Sequence, residues 1–187
     1  MTLASIMKLA MKQLDEAIED IAEYDELFRS YANMGYMIAV RQFYRPRETF
    51  ALTTDEKGRA DICAFPIRRV VTVKNDRGEE ILYKIAQSGE MIETNEKEKT
   101  LHVLAEVERE ALISETDEPQ LPEYAHAALA DYICYRHLSS GSLNKQSRAE
   151  FFRQSFYQQM HALTPQGAGS VTKLKNLYTV TQARYRR

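Results

Sequence analysis

The residues with the most obvious chemical potential are Glu96-Lys-Glu-Lys99, where carboxylates alternate with lysines at a spacing suited to metal-assisted attack on a phosphodiester. That chemistry needs its carboxylates on a rigid strand, whereas this segment reads as the tip of a charged connector, so it is assigned to a solvated turn. His102, His126, His137 and His161 are scattered. His126 and His137 fall on one helical face about three turns apart, too far to share a metal, and the histidines are expected at a surface or an interface. Cys63 and Cys134 lie far apart with no C-x-x-C spacing, so two buried free thiols are expected. The chain has no Gly-rich phosphate loop, nucleophile elbow or His-Glu-x-x-His motif. The reading is a protein that is not an enzyme, with no catalytic residue, cofactor or metal.

Charge is distributed more informatively than its net value of -2. Asp15, Glu16, Glu19, Asp20, Glu23, Asp25 and Glu26 follow one another with no intervening base, while Pro165 to Arg187 carries Lys173, Lys175, Arg184, Arg186 and Arg187 and no acid. This asymmetry points to contact between subunits or with a charged partner. The basic tail also holds Tyr178 and Tyr185, which could stack on bases, but the rest of the chain is acidic and no helix is rich in Lys or Arg, so sequence-specific DNA recognition is not expected. Eleven tyrosines without a tryptophan fit a core plus a protein interface.

The elements that must position these residues follow from periodicity. The 187 residues, 44% hydrophobic and 28% charged, suit one soluble domain with appendages. No signal peptide or membrane-spanning apolar run is recognisable, so an intracellular protein without membrane contact is expected. Helices are expected over 2–14, 22–44, 122–138 and 146–163. The first is capped by Thr2, the second ends ahead of Pro46, and Gly35 would allow that second helix a close approach to a neighbour. The third follows Pro122 with one apolar face and a polar face carrying Glu123, His126 and Asp131. The fourth is expected to start at a capping box formed by Ser147 and Glu150. Between residues 48 and 110 the period changes to two, and the connectors Asp55-Glu-Lys-Gly58 and Asn75-Asp-Arg-Gly78 read as hairpin turns with glycine in the left-handed position. An α+β fold results: N- and C-terminal helices form a small bundle around residues 1–167, with a central antiparallel sheet of five or six strands, and 168–187 form an extended C-terminal arm.

This order of elements, and above all Leu121-Pro-Glu-Tyr-Ala-His-Ala-Ala-Leu-Ala-Asp-Tyr132 entered from an acid-rich turn, resembles the head-to-tail adaptor (connector) proteins of tailed bacteriophages and prophages. The likeness runs from Thr2 to about Leu163 and departs at Ser139-Ser-Gly-Ser-Leu-Asn-Lys145, where the family usually has an acidic link. The resemblance implies a structural virion protein, assembled in the bacterial host cytoplasm, that forms a dodecameric ring between portal and tail and extends the DNA channel. It implies that the arm, through Lys173, Leu174, Lys175, Leu177, Tyr178, Val180, Arg184, Tyr185, Arg186 and Arg187, docks on the portal protein. Glu19, Asp20, Glu23, Asp25 and Glu26 would then face an adjoining subunit, or line the channel and repel genomic DNA so that it slides. The alternatives are a neck or tail-completion protein of the same virion, which would also be an adaptor's neighbour, and, with much less support, a metal-dependent packaging nuclease using Glu96 or Glu98.

Overall fold

Thr2 opens the first helix as expected: its Oγ1 accepts a hydrogen bond from the Ser5 N–H at 3.3 Å, and α1 spans Leu3–Leu14. The computed structural model describes residues 1–16, 21–86, 89–139 and 141–163. The stripe Leu3, Ile6, Met7, Ala10, Met11 and Leu14 is buried throughout, and Asp15 ends the helix in the left-handed region at φ 62°. Helix α2, Ile21–Ile38, carries on as a π-helical segment over Ala39–Tyr44. The expected single helix to residue 44 therefore changes its winding near the end. The Arg45 N–H reaches back five residues to the Val40 carbonyl at 2.9 Å, Arg45 adopts φ 46°, and Pro46 bars continuation.

Pro122 leads through a 3-10 turn, Glu123–Ala125, into α3, His126–Leu138. The expected polar face is a point of correction. Glu123 is exposed, but His126 and Asp131 are buried together with Ala128 to Cys134, because α3 packs against α1, α2 and α4 at once. A helix enclosed on every side buries its polar side chains too and must satisfy them internally. Helix α4, Leu143–His161, starts earlier than the sequence suggests, with Ser142 extended at its N-terminus. The expected capping box does not form: Ser147 lies within the helix and its Oγ donates to the Leu143 carbonyl at 3.3 Å, while Glu150 pairs with Arg153.

The strands are β1 Arg47–Thr53, β2 Arg59–Asp61, β3 Ile67–Lys74, β4 Tyr83–Ile85, β5 Met91–Thr94 and β6 Thr100–Val107. They make two antiparallel sheets of three strands, ordered β1-β6-β3 and β2-β5-β4, where one sheet of five or six was expected. The two turns have the expected chemistry. Asp55 Oδ1 accepts the N–H groups of Lys57 and Arg59, Asn75 Oδ1 accepts those of Arg77 and Glu79, and Gly58 and Gly78 close them at φ 76° and 78°. Both close as the expected hairpin turns, the Asp55 N–H donating to the Arg59 carbonyl at 2.9 Å and the Asn75 N–H to the Glu79 carbonyl at 3.0 Å, and Lys74 bridges Glu80 in antiparallel fashion, but the pairing is short. Beyond each one the chain crosses to the other sheet, and β6 takes β1 on one edge and β3 on the other. The reason is burial: Leu52, Val70, Val73, Leu101, Val103 and Ala105 of one sheet meet Ala60 and Ile92 of the other in one apolar cluster that a flat sheet would leave open to water.

The helical core and this β core share no residue. They meet at a polar junction, where the Pro46 carbonyl accepts the Val107 N–H at 3.0 Å and the Pro66 carbonyl accepts that of Glu108 at 2.8 Å. Arg41 pairs with Glu108, and Arg68 reaches Glu106 at 2.6 Å, with Arg47 at 4.0 Å on its other oxygen. Glu106 is 2% exposed, so its carboxylate depends on those guanidinium groups for the solvation it has lost.

Candidate functional site

Asp131, Cys134 and His126, buried in the helical bundle, are accounted for by packing. Asp131 accepts from Gln13 Nε2 at 2.9 Å, Ser155 Oγ at 2.6 Å and Gln159 Nε2 at 2.8 Å, which ties α1 and α4 to the central helix. The Cys134 thiol donates to Gln13 Oε1 at 3.2 Å, and burial pushes its pKa up to about 12, so it is neither nucleophile nor ligand at neutral pH. His126 Nε2 lies 2.9 Å from the Leu121 carbonyl, which requires the proton on that nitrogen and leaves Nδ1 as acceptor. His126 is thus buried where a surface or interface histidine was expected. His137 stands edge-on to the rings of Tyr24 and Phe28, and burial lowers its pKa. Cys63, expected to be buried, is exposed.

The residues with catalytic spacing stay apart. Glu96 and Glu98 lie in the connector between β5 and β6, where Glu96 pairs with Lys99 and Glu98 sits exposed at φ 51°. Among the described residues no group of three or more His, Cys, Asp or Glu side chains is placed to hold a metal ion, and no helix is long and apolar enough to cross a membrane.

What the fold leaves outside is more distinctive. On α2 the outward stripe Glu23, Glu26, Leu27, Ser30 and Met34 is exposed along its length. Neither Glu23 nor Glu26 makes an ion pair with a described residue, whereas Asp25 turns inward to Arg29 at 2.9 Å. The second surface is the outer face of β2-β5-β4. Its strand register sets Arg59, Glu93 and Lys84 side by side, with Arg59 Nε 3.2 Å from Glu93. Lys57, Leu82 and this row line a groove of about 580 Å³. Leu82 is 91% exposed, and Met91, on the same face as Glu93, is also exposed. A third apolar feature is on α4, where Leu143 and Phe151 project into solvent.

No protein-family model matches the chain, and no curated protein matches it.

Of the residues expected at an interface, Glu23, Asp25 and Glu26 lie in the first turns of α2, two of them outward. Glu19, Asp20 and every arm residue from Lys173 to Arg187 lie outside the described residues. Sequence reasoning did not find the outer face of β2-β5-β4. A signal was present in Ile81-Leu-Tyr83: three consecutive apolar residues cannot all face one side of a strand, and Leu82 is the one turned out.

Proposed function

We propose that this protein is a structural component of a phage or prophage virion that assembles as a ring between portal and tail, and that its arm, residues 168–187, anchors the ring to the portal. The observation that carries the reading is the outward stripe of α2, where two carboxylates without an ion-pair partner among the described residues and two large apolar side chains lie exposed beside the helical core. Unpaired acid beside exposed leucine and methionine is poorly used by water alone and well used by a second surface. The interior adds support, since buried Asp131 and Cys134 are spent on holding helices together. In a ring, weak contacts repeated around the circle give avidity that a single contact lacks, and the same holds for arms that order on docking.

Co-sedimentation with portal rings from the same genome tests this, using the full chain and a version ending at Pro165. Every core residue among the described residues lies at or before Leu163, so the truncation removes the arm and retains them all. Binding by the full chain and loss with the truncation is the expected result. Absence of binding by both overturns the adaptor role and moves the protein to a neck or tail-completion position.

A further inference from the structure

The ring reading names one acidic surface and leaves its counterpart open. The outer face of β2-β5-β4 has the matching chemistry. Glu93 is engaged by Arg59, but Lys57 and Lys84 make no ion pair with a described residue, and the almost fully exposed Leu82 lines the same groove. The α2 stripe offers two carboxylates, Glu23 and Glu26, beside exposed Leu27. One surface is two cations around an apolar side chain, the other two anions around an apolar side chain. Phosphate would use the lysines and leave Leu82 and Met91 in water, so a nucleic acid fits this face less well than a protein does.

Topology keeps the two surfaces of one copy from satisfying each other. Helix α2 runs its 18 residues, about 27 Å, from the acidic turns toward the junction at Pro46. Strand β1 then runs its seven residues, about 23 Å, from the junction to the turn that carries Lys57. Each surface therefore lies at the end of its element remote from the junction, and none of β1 to β6 is packed along α2.

We propose that the Lys57, Leu82 and Lys84 face of one copy receives the Glu23, Glu26 and Leu27 stripe of a second copy. The proposal rests on the ring reading and gives it a head-to-tail contact. Two different, non-overlapping surfaces make a heterologous interface, which propagates from copy to copy and closes into a ring when the rotation per copy allows. Charge on both sides sets register and encounter rate, and high salt weakens the contact.

The test uses the full chain, with oligomer distribution measured by mass photometry over a concentration series at low and high salt. The double variants K57E/K84E and E23K/E26K should each raise the concentration needed for assembly about tenfold or more, and the quadruple variant carrying both swaps should recover it. All four side chains are exposed, and unchanged urea midpoints confirm that folding is not what the swaps alter. Mixing Lys84→Cys chains with Glu23→Cys chains, both in a Cys63→Ser background, should give a disulfide-linked pair that neither chain gives alone. Rings that form regardless of the swaps, a quadruple variant that stays dissociated, or no cross-link in assembled rings overturns this interface and leaves the ring standing. A wild-type chain that stays monomeric both alone and with portal rings overturns the ring itself, and the interface with it.

Discussion

Gly35 of α2 lies flat against the ring of Tyr132 of α3: a carbon placed at its Cβ position would stand 2.9 Å from both Tyr132 Cγ and Cδ1. Tyr132 cannot withdraw, because it is itself buried and packs on Tyr135 and Phe156 at centroid distances of 5.7 and 4.9 Å. Gly35→Ala gains about 1 kcal/mol of helix propensity and loses about 1–3 kcal/mol to overpacking. The expected net loss is about 1 kcal/mol, read as a lower urea midpoint with an unchanged slope. Trimming the ring with Tyr132→Leu in the Gly35→Ala background should recover part of the loss, so the two substitutions should be non-additive.

The two turn glycines share a conformation and differ in surroundings. At Gly78 a Cβ meets nothing within 4 Å, so Gly78→Ala costs only the strain of a left-handed backbone, about 1–2 kcal/mol. At Gly58 the Cβ would lie 2.3 Å from the Thr94 carbonyl oxygen, which belongs to backbone and cannot swing aside. The Thr94 N–H also donates to the Gly58 carbonyl at 2.8 Å, so pushing the strands apart breaks that bond as well. Gly58→Ala should destabilise more than Gly78→Ala, and Gly78→Asn should be milder than either, by thermal melting of the three proteins side by side.

Asp131 is the acceptor on which three donors converge from α1 and α4, and it makes no ion pair with a described residue. Removing it leaves the half-buried Gln13, Ser155 and Gln159 without that acceptor, at about 1–3 kcal/mol for each donor that water does not reach. Asp131→Ala is expected to cost about 3 kcal/mol in urea unfolding. Asp131→Asn should cost less, since its amide oxygen still accepts, while its amino group faces donors.

Most of the elements were legible because their periods are strong. The helix expected over 2–14 forms as α1, Leu3–Leu14, and the described strands fall, to within a residue, in the period-two region between 48 and 110. Local turn chemistry was also legible, down to the left-handed Gly58 and Gly78. Strand partnership was not. Alternation tells which side of a strand is buried, and it says nothing about whether Leu52 faces a neighbour in its own sheet or Ile92 across a core. The enclosure of α3 escaped for a related reason, because His126 and Asp131 look like a solvated face until α1, α2 and α4 are wrapped around them. The candidate surfaces were half legible: the acids at Glu23 and Glu26 stand out as a charge run, while Lys57 and Lys84 are distant in sequence and meet only when the chain turns its corners.

The two thiols should separate cleanly. Cys63 is exposed and Cys134 is buried against the Ala10 carbonyl and Gln13, so native protein should consume one equivalent of a thiol reagent quickly and the second only at the rate of opening. Burial, with Asp131 adding to it, holds the Cys134 pKa at about 12, against about 8.5 for a thiol in an unfolded chain. Between those values the unfolded chain has released a proton that the folded protein retains, so stability is whole below about pH 8.5 and falls as pH rises toward 12. Cys134→Ala removes that dependence along with some packing, and should therefore be less stable than wild type at neutral pH but lose less of its stability on going to pH 10. Urea midpoints of both proteins across this range measure the difference, and parallel lines would show that the Cys134 thiol is not the group responsible.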